Sequence, residues 1–527
     1  LSWRARTHRD AVYLDVPDTG ETYTYGQVHQ LASAIASGLL SRGHQKGDRL
    51  VIMLPNRAEY ILGWLGTAMA GIAEVPINTA YRGTFFEHQV RTVAPTGAIV
   101  HDSFAERFVE SADACTSIEH VYVVSDDAVS EEKTIAKLQD AGFEAEPFGA
   151  LSMSTLVDLP TVSARDLASV FFTSGTTGLS KGVTMTHAHM VFEADECISL
   201  TRLTDADTYM SVGPLFHGNA QFLAAYPALL AGARFVLRER FSATRWAMWI
   251  RDSRATVTNL VGVMMDFVWK QPPAPEDRQG NLRCIFAAPT ASSIVKGFKE
   301  RFGVETFVEV FGLTETSMPI MTPYGEERPA GAVGKAVRDW FEVRLVDPET
   351  DEEVPDGEMG ELVVRPTFPF TMTVGYFGMA DRTAEAMRNC WFHTGDGLRR
   401  DGEGWFYFVD RLKDAIRRRG ENISSYEVEQ ALLAHPAITE CAVVAVPAEQ
   451  EAGEDEVMAF IVLTEDSVAT PEELWEFCDR RLPYFAVPRF LRFLDGLPKT
   501  PSEKVQKASL RALGLDLSVH DRNSKTG

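Results

Sequence analysis

Residues 171–182 read FFTSGTTGLSKG. Glycine, serine and threonine dominate the stretch, two phenylalanines open it, and one cation, Lys181, stands near its end. Ser169–Phe172 is a β-type run, and a helix-like segment is expected after the loop. A loop of this composition at a strand end offers backbone N–H groups and hydroxyls to an anion, and Lys181 adds charge. Gly175 and Gly178 permit close approach and positive φ. It is not a P-loop, which needs Gly-x-x-x-x-Gly-Lys-Ser/Thr. Ser180 stands five positions after Gly175, and Gly182, not a hydroxyl residue, follows Lys181. From these residues alone, a phosphate cradle and a mobile surface turn both remain open.

Outward from the loop, strand-like and helix-like segments alternate over the first four hundred residues. Arg49–Leu54, Ala73–Ile77, Gly97–Val100, His120–Val124, Ala168–Phe172, Arg234–Leu237 and Ala255–Leu260 read as buried strands. Asn56–Ala73, Ala188–Leu200 and Phe241–Arg251 read as helices. Such alternation predicts a parallel sheet covered by helices. After about residue 340, Glu342–Val346, Gly360–Arg365 and Gly404–Val409 look like antiparallel strands joined by tight turns. Near Arg411 the texture changes again. Ser425–Ala434 is a helix that Pro436 ends, Glu440–Val446 and Val457–Leu463 are strands, and Pro471–Arg481 is a helix capped by Thr470. The tail after Leu515 is expected to be disordered. The fold class is therefore α/β, with a large N-terminal region of parallel α/β subdomains plus a small β-barrel-like subdomain, followed by a small mobile α+β C-terminal domain. The boundaries fall at 1–411, 412–515 and a tail of 516–527.

A chain of 527 residues exceeds the ~250–300 that one core supports, so several domains are expected. Its formal charge of −23 argues against general nucleic-acid or anionic-membrane affinity. The six cysteines form no C-x-x-C pair and give no zinc or iron–sulfur spacing, which fits reduced thiols in a cytoplasmic protein. The longest nearly uncharged run, Ile61–Ala73, falls short of the ~18–20 residues of a membrane span. No charged-then-apolar leader is visible. The sequence opens on Leu1 without methionine, so a few residues are expected to precede it.

The loop does not stand alone. In order along the chain come LPN…AMAGIAEVPIN (54–78), TSGTTGLSKG (173–182), PLFHG (214–218), FGLTET (311–316), GY…T (375–383), WFHTGD (391–396), DRLKDAIRRRGENIS (410–424) and LPKTPSEKVQK (497–507). This ordered set resembles the adenylate-forming superfamily of acyl-CoA synthetases, firefly luciferases and peptide-synthetase adenylation domains. The resemblance covers essentially the whole chain. From FHGNAQ through RFSATRW to GENIS it is most similar to crotonobetaine/carnitine–CoA ligases.

The resemblance implies an AMP-forming acid–CoA ligase using ATP, Mg2+ and coenzyme A. Thr173, Ser174, Gly175, Thr176, Thr177, Gly178 and Lys181 would hold the β,γ-phosphates. Thr314 would contact the α-phosphate, Glu315 would ligate Mg2+, and Phe311 with Gly312 would cover adenine. Most relatives carry tyrosine where this chain has Phe311. Asp396 and Arg411 would hold the ribose. Lys504 would be the catalytic cation between the substrate carboxylate and the α-phosphate, although Glu503 stands where relatives usually have glycine. Lys413 would be the hinge about which the C-terminal domain turns, and the loop at Gly420 would then reach the pantetheine path. For Arg417, Arg418 and Arg419, contact with CoA phosphates and a solvated hairpin are both open. His217 belongs to the catalytic set, with gating or packing as its expected role and no assignable carboxylate partner. Cys284–Ala291 would wall the acyl pocket.

The acid itself is not determined. Phe216 and Phe222 could face a quaternary ammonium, but Pro214–Leu223 holds no acidic residue, and short aliphatic or aryl acids fit as well. The alternative is an adenylating enzyme that loads a carrier protein or spends its adenylate otherwise. The expected partners are a small carboxylic acid, ATP and CoA, with no nucleic acid and no integral membrane segment; a homo-oligomer is open.

Overall fold

The computed structural model describes residues 1–173, 180–287, 290, 294–411, 416–418, 421–423, 425–447, 455–464, 467–498, 505, 507–516 and 518–524. Two large sheets build the N-terminal region. One has seven strands, with Arg49–Met53 and Ala73–Pro76 near its middle and Leu167–Thr173 beside Ala73–Pro76. Valine and isoleucine fill its inner positions, as expected of strands covered on both faces. Val51, Ile52, Val75, Ala98 and Val121 are fully buried. The second sheet runs through Arg234–Leu237, Thr208–Ser211, Val257–Leu260, Cys284–Ala287 and Thr306–Leu313 in parallel.

At Thr306–Leu313 the second sheet changes character. Ser317–Met321 turns back antiparallel to it, and Ala332–Ala336, Trp405–Arg411, Phe392–Arg400, Met359–Pro366 and Phe341–Val346 follow as antiparallel neighbours. The small antiparallel unit read from the sequence is thus continuous with the parallel sheet. Its own core contains Ile320, Phe341, Leu362, Phe392 and Phe406. The FGLTET segment lies at the junction.

The helix expected directly after the glycine-rich loop is a strand instead. Lys181–Thr186 pairs antiparallel with Leu167–Thr173, placing Thr173 opposite Lys181. Val183 and Met185 point into the core, giving KGVTMT the two-residue period of a strand. Thr173 and Lys181 are therefore paired strand ends that bracket the loop. The helix His187–Thr201 begins only after it, with the Thr186 hydroxyl accepting the His189 N–H at 3.1 Å. The helix read at 241–251 likewise starts later, at Trp246–Ser253.

The C-terminal domain is α+β. Ile438–Pro447 and Asp455–Leu463 pair antiparallel, and Phe490–Phe493 joins in parallel. Thr470 caps Pro471–Asp479 through a reciprocal bond with Glu473. The expected disorder after Leu515 does not hold for the described residues. His520–Asp521 pairs with Phe490–Phe493, and Arg489 binds Asp521 at 2.9 Å. Phe85, from the N-terminal helix Thr84–Val93, belongs to this domain's apolar core beside Val428, Leu432 and Phe485. Among the described residues no helix is long and apolar enough to cross a membrane.

Phe85 joins the two regions by burial alone, so Phe85→Ala should lower the stability of the joined state by about 3–5 kcal/mol. Urea unfolding followed by tryptophan fluorescence checks this. An unchanged transition would show that other contacts carry the seam.

Candidate active site

Three segments far apart in sequence meet at Thr173 and Lys181, the strand ends that flank the glycine-rich loop. Lys181 Nζ donates to the Tyr376 hydroxyl at 2.9 Å and lies 4.1 Å from its ring centroid. That hydroxyl donates to Glu315 Oε1 at 3.0 Å, and the Thr173 hydroxyl reaches the same oxygen at 3.5 Å. Burial and the neighbouring Glu315 push the Tyr376 phenol far above its ordinary range, so it remains a donor to that oxygen. Glu315 is buried. Its environment holds hard oxygen groups beside one ammonium, a donor set suited to a single carboxylate ligand for Mg2+.

Backbone contacts hold this cluster in place. Thr373 N–H donates to Glu315 O, and Thr184 N–H to Gly375 O, at 2.9 and 3.0 Å. The segment Thr373–Tyr376 is thereby bonded to both sheets. Gly375 has φ +129°, and a Cβ there would lie 2.6 Å from Thr383 Cγ2. Thr383 in turn accepts the Tyr376 N–H at 2.9 Å, which explains the spacing of GY…T. Gly312 is required for a different reason: a Cβ would lie 2.0 Å from Ser317 O. Phe311 is partly exposed with its ring 6.2 Å from that of Phe408, and Thr314 is partly exposed two residues beyond Gly312.

The second grouping surrounds Asp396. Strand register sets Asp396 opposite Arg411, so the two residues expected to share the ribose are cross-strand neighbours. Asp396 is buried, and its N–H donates to Thr394 Oγ1 at 3.1 Å. The turn before it is fixed by Glu361, which accepts Gly395 N–H and meets His393 Nδ1, both at 2.9 Å. The Arg411 side chain lies outside those described.

The C-terminal domain brings a third grouping. Its hairpin Ile416–Arg418/Glu421–Ile423 reaches the PLFHG segment, where His217 Nε2 meets Glu421 Oε1 at 3.0 Å. Burial works to lower the His217 pKa, but the charge and hydrogen bond of Glu421 outweigh it and leave the imidazole raised. Close by, Glu427 accepts the Ser180 N–H at the foot of the glycine-rich loop. Burial pushes the Glu427 carboxyl up to about 7. Burial also raises the phenol of Tyr81, with Glu421 and Glu427 adding to the effect.

The structure thus brings Thr173, Lys181 and Glu315 together and sets His217 against the C-terminal domain. Ser174, Gly175, Thr176, Thr177, Gly178, Lys413, Gly420 and Lys504 lie outside the described residues, as does Arg419. Arg418 offers CoA nothing: it is buried, donates to Phe485 O and Val487 O, and pairs with Glu456 at 2.7 Å. Sequence reasoning missed Tyr376, Glu361, Glu421 and Glu427. For the first, GY…T was the available signal; for Glu421, it was its place directly after Gly420.

The AMP-binding enzyme family model matches residues 1–377, and the AMP-binding enzyme C-terminal domain matches residues 427–504. Crotonobetaine/carnitine–CoA ligase of Salmonella heidelberg is 33% identical over 502 residues, 93% of this chain and 93% of that protein. Among solved structures, o-succinylbenzoate CoA synthetase from Bacillus subtilis aligns over 97% of this chain and 98% of its own, with TM-score 0.81 and 23% identity. ATP-bound MatB from Rhodopseudomonas palustris aligns over 97% and 98%, with TM-score 0.67 and 25% identity.

Two outcomes test the site. Tyr376→Phe removes a hydrogen bond to a charged group, a loss of about 1.5–3 kcal/mol, or roughly 10–150-fold in kcat/KM for ATP. Acid-dependent pyrophosphate–ATP exchange measures it; wild-type kinetics would exclude the bridge from function. Glu421→Gln leaves only burial acting on His217, so its imidazole should titrate below the ordinary value of ~6.5 rather than above it. In the wild type, the pair's contribution to docking is complete below that value and is lost as pH rises through the raised one. NMR titration of the imidazole reads the change, and an unmoved titration would show that Glu421 does not act on His217. With two family domains along its length and a close relative over nearly all of it, the chain belongs to the AMP-binding enzyme family and is an acyl-CoA synthetase of the AMP-forming type.

Proposed function

We propose that this synthetase condenses a small carboxylic acid with ATP, releasing pyrophosphate, and then moves the acyl group to the CoA thiol with loss of AMP. The observation that carries this reading is the convergence of Lys181, Tyr376, Glu315 and Thr173 from three segments. A carboxylate attacking a polyphosphate brings two anions together, so positioning and positive charge do most of the work.

Lys181 offsets charge on the β,γ-phosphates, aided by the loop residues after Thr173. Thr314 lies within the segment that would face the α-phosphate. Phe311 offers a ring face to adenine, and Asp396 accepts from the ribose hydroxyls, with Arg411 on the neighbouring strand. Glu315 is the ligand for Mg2+, which when bound supplies positive charge beside the phosphate oxygens. Lys504 is assigned the catalytic cation of adenylation, and Lys413 the hinge. The contact of His217 with Glu421 fits the other arrangement of the C-terminal domain, with its hairpin at the acyl cleft and Gly420 on the thiol path. His217 then holds the seated hairpin rather than taking a proton from the thiol.

The relatives named for crotonobetaine and carnitine make betaine-type acids the first to try. Incubation with ATP, Mg2+, an acid panel and either CoA or a carrier protein should yield acid-dependent AMP and an acyl-CoA. AMP release that requires the carrier would replace this reading with the carrier-loading one. Lys504→Ala should reduce adenylation by about 10²–10³-fold, the cost typical of losing one preorganised charge-stabilising donor, while supplied acyl-adenylate still reacts with CoA. Equal loss in both half-reactions would remove the division of labour between two domain arrangements.

A further inference from the structure

Ser180 is held from two sides. Its carbonyl accepts the Nε2–H of His88 at 2.8 Å, and its N–H donates to Glu427. A carbonyl oxygen only accepts, so Nε2 carries the proton in this contact. Among the described residues the strand ladder ends at the pair Thr173–Lys181, one residue short of Ser180. Ser180 is nevertheless 4% exposed. Buried backbone groups need partners, and beyond the ladder two side chains supply them. The next residue is Lys181, the cation of the chain Lys181–Tyr376–Glu315.

The helix Thr84–Val93 is a firm platform for His88. Phe86, Val90 and Val93 recur at helical spacing and are fully buried in one apolar cluster with Val51, Val75 and Val170 of the seven-stranded sheet. Phe85 points the other way, into the core of the C-terminal domain beside Val428 and Leu432. His88 stands three residues after Phe85, on the same side of the helix and one turn further along. Its ring also meets the ring of Phe172 edge-on, with centroids 6.2 Å apart. Phe172 precedes the glycine-rich loop and Ser180 follows it, so one side chain touches the chain on both sides of the loop.

The two holds on Ser180 differ in origin. Glu427 lies on the helix Ser425–Leu433 of the C-terminal domain, whereas His88 and Lys181 both belong to the N-terminal region. The His88 bond therefore does not depend on where the C-terminal domain sits. Lys181 carries its ammonium on a flexible four-carbon stem, which has no fixed direction of its own. Tyr376 steadies one end of that stem, and the backbone position of Lys181 sets the other. A buried carbonyl stripped of its donor is costly, and the chain relieves the cost by moving. A displacement of ~1 Å at a group that positions substrate can lower a rate by about 100-fold.

We propose that His88 is a positioning residue for adenylation: by holding the Ser180 carbonyl it fixes the start of the Lys181 strand, and with it the place where the ammonium meets the phosphates of ATP. His88 itself touches no substrate. It acts through Ser180 on Lys181, and it does so whether or not Glu427 is engaged. This inference rests on the acid–CoA ligase reading and adds to it a residue outside the motifs that carry the family resemblance.

Three variants of the full chain test this. His88→Phe keeps a ring against Phe172 but removes the donor. His88→Asn keeps a polar side chain but is too short to bring its amide to the Nε2 position. His88→Gln places an amide N–H there. Acid-dependent pyrophosphate–ATP exchange is measured over ATP and acid concentration, beside the thermal unfolding midpoint. The Phe and Asn variants should lose about 5–100-fold in kcat/KM for ATP, mainly through KM for ATP, with KM for the acid within about threefold of the wild type. The Gln variant should recover to within about threefold. Thioester formation from supplied acyl-adenylate and CoA, which involves no polyphosphate, should change by less than about threefold in all three. A lowered midpoint with unchanged ATP kinetics would make His88 merely structural and overturn the proposal. So would a Gln variant as impaired as Phe and Asn, or an equal loss in thioester formation, which would assign His88 to the domain seam. If the wild type shows no exchange with any acid in a broad panel, the ligase reading fails and takes the inference with it, an outcome separate from the others.

Discussion

One tyrosine hydroxyl sets the chemistry of this cleft. Lys181 belongs to the seven-stranded sheet, and Glu315 belongs to the turn where the other sheet reverses direction. Nothing in either sheet alone fixes the distance between them. The segment Thr373–Tyr376 does so, by backbone bonds to Thr184 on one side and Glu315 on the other. An ammonium and a carboxylate placed in direct contact would largely cancel. A neutral donor between them holds both at known positions while leaving the cation's field available to an incoming anion. The antiparallel extension of the second sheet then has a clear purpose, because it brings Glu315 and Gly375–Tyr376 against Thr173 and Lys181, the strand ends that flank the glycine-rich loop.

The C-terminal domain adds contacts of a different kind. Its attachment through Phe85 is apolar and indifferent to pH, whereas its contacts to His217 and to Ser180 involve titrating groups. The apolar anchor can supply affinity between the two regions. The polar contacts add to that affinity only while their partners stay within reach.

Much of this architecture was legible in the sequence because it rests on local patterns. Runs such as Arg49–Met53 and Val257–Leu260 are recognisable from β-branched residues, and Thr470 with Pro471 announces a helix start. The strand after the glycine-rich loop was misread because KGVTMT is short and leads straight into a helix. Arg418 looked like part of a surface charge run, and only the fold shows it turned inward to Glu456. The roles of Tyr376 and Glu421 depend on partners 195 and 204 residues away, a separation no local pattern reports.

The bond between Glu427 and the Ser180 amide has a thermodynamic corollary. An N–H group engaged by a buried carboxyl is lost to any other acceptor, and Ser180 directly follows the residues to which the proposed function assigns the polyphosphate. On that proposal, seating of the small domain and occupation of the loop draw on one shared donor. By linkage, whatever each subtracts from the other's binding free energy must be equal. On the same proposal, a departing anion would leave that donor free for Glu427, so the order of the two half-reactions is partly written into the competition for a single hydrogen atom.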